Sequence, residues 1–149
     1  MAKIVLTNAS VIFEGAYDFS DHLSSITLST VHDVLDVTPV KEGVIYKEVI
    51  AGVGTNTVTF DFYQDFANNS IEEFFGGEPG NALMPNRVGT KVACAVKPIA
   101  SAPISATNPE YRFDALVTEW TPLNAALGQL STIAVSWPIS GAITKDITP

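Results

Sequence analysis

Cysteine and histidine are nearly missing from this 149-residue chain: Cys94 stands alone, and His22 and His32 are the only imidazoles. A single cysteine excludes an internal disulfide and a cysteine-based metal cage. Two histidines among scattered carboxylates match no metal-ligand spacing. Basic residues are scarce too: eight Lys and Arg stand against sixteen Asp and Glu, a formal net charge of −8. That balance lacks the basic footprint of a nucleic-acid reader or an anionic-membrane binder. No apolar run is long enough for a membrane span, and the one after Met1 is too short for a signal peptide. The expectation is an intracellular, unsecreted protein with no membrane partner.

Charged residues of both signs make up only 16% of the chain, against about 25% in an average globular protein. Mean hydropathy is +0.23, high for a soluble monomer. The length suits a single domain, 1–149, that buries roughly two thirds of its unfolded surface. Such a composition points to apolar surface placed in subunit contacts. The negative excess lies wholly in residues 1–75, where eleven acids face three lysines.

Period-two alternation with β-branched residues dominates the chain. Ile26 and Leu28 alternate with small hydroxyls; Val58, Phe60 and Phe62 alternate with Thr57, Thr59, Asp61 and Tyr63. Tyr111, Phe113, Ala115 and Val117 form a third such set, and Ile133, Val135 and Trp137 a fourth. Segments 3–7, 10–14, 44–50 and 90–97 also read as strands. The result is a mainly β chain of about eight strands, an antiparallel sandwich or barrel. One short helix is expected at 70–75: Ser70 and Glu73 have capping-box spacing, Phe74 and Phe75 anchor it, and Gly76-Gly77 ends it.

Two segments read as neither strand nor tight turn. Residues 32–55 form a long extended loop around the strand-like 44–50, with Pro39, Gly43, Gly52 and Gly54 and a mixture of acids and lysines. Residues 98–109 form an uncharged connection rich in Ala and Ile. Loops of that length usually have a task. An uncharged one is best placed against a neighbouring subunit, with Ile99, Pro103 and Ile104 as its candidate contact residues.

The search for chemistry finds no active site. Cys94 shares a strand face with Val92 and Val96, as a core thiol would. Ser20, Asp21 and His22 lie side by side in sequence and so point apart, whereas triad members must converge. Asp61 and Asp65 could be imagined as a hydrolytic pair, but they read more simply as solvated acids. The glycine pairs lack the Lys-Ser/Thr of a phosphate loop. Neither an enzyme nor a cofactor is expected.

Several segments in order are familiar. Lys3-Ile4-Val5-Leu6-Thr7-Asn8-Ala9-Ser10-Val11 leads to Asp18-Phe19-Ser20-Asp21-His22, then Ser24-Ser25-Ile26-Thr27-Leu28 and Asp33-Val34-Leu35-Asp36-Val37-Thr38. Phe60-Asp61-Phe62-Tyr63-Gln64-Asp65-Phe66, Ser105-Ala106-Thr107-Asn108-Pro109-Glu110-Tyr111 and Val135-Ser136-Trp137-Pro138-Ile139-Ser140-Gly141-Ala142-Ile143-Thr144 follow. Taken together they resemble the tail tube (major tail) proteins of long-tailed, non-contractile bacteriophages over nearly the whole chain.

That resemblance implies two packed antiparallel sheets with a flanking helix. It also implies six copies per ring, stacked rings, and one sheet per subunit joining its neighbours into a barrel around a lumen. The homo-oligomer would sit in the virion tail, made in the host cytoplasm. Tape measure, terminator and distal tail proteins would be its partners, and DNA its unbound cargo. Segment 32–55 would be the inter-ring loop, with Asp33, Asp36, Lys41, Glu42 and Lys47 as contact candidates. An acidic lumen avoids trapping phosphates. Asp61 and Asp65 are the candidate lumen-facing acids, and a hexamer would carry roughly 48 excess charges per ring before screening. The competing readings are a ring-forming terminator or connector, a monomeric β-sandwich binding module, and a small acid hydrolase.

Overall fold

A computed structural model describes residues 5–67, 69–77 and 87–149. Its elements are β1 (Ser10–Phe13), β2 (Tyr17–Asp18), a 3-10 turn (Ser20–His22), β3 (Leu23–Asp36), β4 (Val49–Tyr63), α1 (Ile71–Gly76), β5 (Lys91–Lys97), β6 (Glu110–Leu116) and β7 (Thr132–Asp146). All strand pairings are antiparallel, in the spatial order β2-β1-β5-β6-β7-β4-β3.

Strand β7 joins the two halves of this sheet. Thr132 to Pro138 pair with β4, while Ile139 to Asp146 pair with β6. Between them Gly141 adopts φ 85°, opposite a register shift at Arg112/Asp114, and its carbonyl accepts from Asn56 Nδ2 at 2.8 Å. A bulge and a left-handed glycine let one long strand turn the corner of a sandwich. The consequence is visible in the core. Phe13 of β1 packs 5.8 Å from Phe60 of β4, although three strands lie between them in the sheet order.

The alternating residues fill the space between the two inner faces. Phe13, Val92, Cys94 and Phe113 face Val58, Phe60, Phe62, Ile133, Val135 and Trp137, all of them buried. Helix α1 closes one side: Phe75 stacks on Trp120 at 4.7 Å and meets Trp137 at 5.1 Å and Phe13 at 5.2 Å. Six residues cannot sustain a helix through propensity, so this aromatic packing holds it. Cys94 is a core thiol, and burial pushes its pKa upward, away from thiolate chemistry.

The seven strands among the described residues agree with the mainly β reading of about eight, and four narrower sequence expectations need correction. Segment 44–50 is not a strand of its own, because β4 begins only at Val49. Residues 5–7 of the expected first strand are not in a strand, and its residues 3 and 4 lie outside the described residues. Half of segment 32–55 is regular: β3 runs on to Asp36 and β4 starts at Val49, so only 37–48 are loop. At the helix, Ser70 caps no amide with its side chain, and Glu73 reaches one residue further back, to the Asn69 N–H at 2.6 Å.

Candidate assembly surfaces

Three surfaces stand out from the sandwich. The first is the outward face of the β3-β4-β7 layer. Register places Ser25, Thr27 and Ser29 beside Asp61, Thr59 and Thr57, and these beside Ala134, Ser136 and Pro138. The face is therefore a field of hydroxyls and small side chains with one carboxylate, Asp61, which accepts from Ser25 Oγ at 2.6 Å. Asp65 does not share it. That residue lies past the end of β4, where its Oδ2 is 3.0 Å from His22 Nε2 and its Oδ1 accepts from the Ala67 N–H at 2.9 Å. The hydrogen bond from His22, followed by those from Ala67 and Ser70, lowers its pKa to about 2.

His22, Asp65 and Ser70 thus converge, a cluster that sequence proximity did not reveal. Ser70 Oγ lies 3.4 Å from the same His22 Nε2 that meets Asp65, while His22 Nδ1 is buried without a partner among the described residues. A relay needs the acid on one ring nitrogen and the nucleophile on the other. Sharing a single nitrogen makes the cluster a tether between the 3-10 turn and the start of α1. Ser20 is elsewhere, donating to Asp18 Oδ1 and accepting from the Val11 N–H. Among the described residues no group of three His, Cys, Asp or Glu side chains could hold a metal ion. No helix there is long and apolar enough to cross a membrane.

The edges of the same layer form the second surface. Strand β3 ends the sheet, and its first residues lie beside residues 6–9. Antiparallel alternation leaves the amides and carbonyls of Leu28 and Thr30 pointing outward. No acid, lysine or proline guards β3 before Asp33. On the far side of the layer the first half of β7 has an edge of its own, since β6 pairs only with the second half.

The third surface is the distal part of the β3–β4 hairpin. Val31, Val34, Leu35, Ile45, Tyr46, Val49, Ile50 and Val53 are all exposed, with Val34 69% and Val53 76% accessible. Beyond the bulge, Val34 and Val49 belong to one face of this arm and Leu35 and Ile50 to the other, so both faces are apolar. Close packing within the arm is local: His32 lies over Gly54, where an added Cβ would meet its Cε1 at 2.8 Å. Of the inter-ring candidates, Asp36 and Lys47 approach at 3.7 Å across the arm, Asp33 stands at the bulge, and Lys41 and Glu42 lie at the tip.

Loop 98–109 is organised from within. Asn108, 3% exposed, accepts from the Ile99 N–H at 2.9 Å and donates to the carbonyls of Ile99, Ala102 and Pro103 at 3.0–3.2 Å. Ile99 and Ile104 are half-buried and Pro103 exposed.

No protein-family model and no curated protein matches this chain. Solved structures do. A chain from the virion of a native gene transfer agent particle matches with TM-score 0.55 and 14% identity, covering 83% of this chain and 84% of that one. A chain from the tail of an empty gene transfer agent particle with C6 symmetry matches with TM-score 0.52 and 15% identity, over 83% and 81%. The two share a fold with this chain. Identity this low carries the fold alone.

Proposed function

We propose that this chain is a structural tail-tube subunit of a phage-like particle. Six copies close into a ring, rings stack into a hollow tube, and DNA passes through it. The observation that carries this reading is the likeness in fold to a tail chain from a particle with C6 symmetry, over more than four fifths of both chains. Two features of the chain support it. A layer with an open edge at β3, and at the first half of β7 an edge that no strand of the chain pairs, is suited to joining its neighbours, and closing a ring removes those edges. An apolar arm with no core of its own is suited to a second contact along the axis, which turns rings into a filament.

On this reading the hydroxyl face lines the channel. Neutral hydroxyls and one carboxylate per subunit offer DNA phosphates no cation to bind, so passage adds no counterion release at each ring. The chain acts without catalysis, in a virion beside tape measure, terminator and distal tail proteins. Electron microscopy of the concentrated, purified protein tests the assembly. Uniform hollow tubes are expected; isolated rings would instead assign a terminator, and a persistent monomer a binding module.

A further inference from the structure

The outer edge of β7 is already occupied by the chain itself. Gln64 N–H donates to Ser131 O, which sets the alternation along β7: Ile133, Val135 and Trp137 bond towards β4, and Ala134 and Ser136 point away. The outward Ser136 N–H donates to Glu119 Oε1 at 2.9 Å. Trp137 Nε1 donates to the Glu119 carbonyl at 3.0 Å and anchors that backbone alongside. The carboxylate therefore stands where the carbonyl of an added strand would accept. The next outward residue, Pro138, has no N–H to offer.

We propose that Glu119 is a displaceable stand-in for a strand from a second copy. It holds the β7 edge closed in the free subunit and releases Ser136 when the β3 edge of a neighbour pairs there. The inference rests on the ring-forming reading above. Three observations select β3 as the occupant. It has the open, unguarded edge. Its outward face carries Ser25, Thr27 and Ser29, so pairing continues the hydroxyl surface of Ser136 and buries no charge. Glu119 and Ser136 are both exposed, so the released carboxylate returns to water. The exchange replaces one hydrogen bond by another, and the subunit stays soluble until several such bonds form together.

The test compares Glu119→Ala, Glu119→Gln and Ser136→Pro with the wild type by sedimentation and electron microscopy over a concentration series. Glu119→Ala frees the amide and is expected to lower the assembly concentration roughly tenfold, the factor equivalent to about 1.4 kcal/mol. Glu119→Gln keeps an acceptor and stays near wild type. Ser136→Pro removes an N–H that β4 does not use, so the fold survives in thermal melts while assembly is lost. Equal assembly concentrations for wild type and Glu119→Ala would overturn the stand-in and leave the ring intact. Amorphous aggregate from Glu119→Ala would also overturn it, making Glu119 a permanent guard. If wild type and Glu119→Ala both remain monomers, the tube reading and this inference fail together.

Discussion

The two ends of one hairpin obey different rules. Near the body, residues 25–30 and 56–63 alternate cleanly, with Ile26, Leu28, Val58, Phe60 and Phe62 turned to the core and hydroxyls turned out. Towards the tip the same strands keep their pairing, yet Val31, Val34, Leu35, Val49, Ile50 and Val53 are all exposed. The body half is stable because one face is covered by the second sheet. The arm half has ladder bonds and no cover, and a two-stranded ribbon alone is marginal in water. Apolar residues on both faces of such a ribbon are costly in a free monomer, and they make sense where another surface meets them.

Breaking the body is expected to give the largest effect. Trp137 is fully buried, touches Phe60 and Phe75 and anchors the Glu119 carbonyl. Trp137→Ala is expected to cost about 3–5 kcal/mol, a large share of the roughly 5–15 kcal/mol that holds a domain together. Chemical denaturation of the monomer reads it. Asn108→Ala comes next. It leaves the Ile99 amide and three carbonyls without their partner inside a loop closed on that side chain. A loss of about 1–3 kcal/mol is expected from denaturant midpoints, with the core spectrum of Trp137 unchanged. An Asn108→Ala variant as stable as wild type would mean that the loop is held from outside the subunit.

A smaller effect belongs to Asp65. Its carboxyl titrates near 2 in the folded chain, below the usual 3.8, chiefly because of His22. A depressed carboxylate pKa stabilises the fold above the ordinary value, and that contribution disappears as pH falls from about 3.8 towards 2. Melting temperatures across this window should decline less steeply in Asp65→Asn than in wild type. Identical slopes would remove His22–Asp65 as a tether.

Much of the body was legible because a buried face imposes period two on the sequence. The alternation of 57–63, 90–97, 111–118 and 132–137 needed no knowledge of partners. The strands of the arm are hidden in the sequence because its apolar residues serve both faces, and Gly52 and Gly54 break the run. Its strand character comes from pairing with β3, which no single segment displays. Likewise the alternation legible in the sequence covers only 132–137, whereas β7 runs through Pro138 and Gly141 to Asp146. An outward-pointing position tolerates proline, and the corner requires the glycine's positive φ. Asp61 was readable as the polar partner in an alternating strand. The companionship of Asp65 with His22, and of Glu119 with Ser136, was not, since 43 and 17 residues separate them and only the fold brings them together.

The sharpest use of the comparison is a change with almost no effect on the monomer. Val34→Thr, Ile45→Thr and Val53→Thr together keep β-branched shapes on the arm while replacing exposed methyl surface by hydroxyls. Each side chain already faces water, so monomer stability is expected to stay within about 0.5 kcal/mol of wild type. Assembly is a different matter. If the arm makes the axial contact, the triple variant should close rings and fail to stack them. Electron microscopy of the variant beside wild type separates the outcomes. Wild-type tubes from the variant would show the arm to be dispensable. A destabilised monomer would show that the arm packs on its own body, and the contrast between the two ends of the hairpin would then be lost.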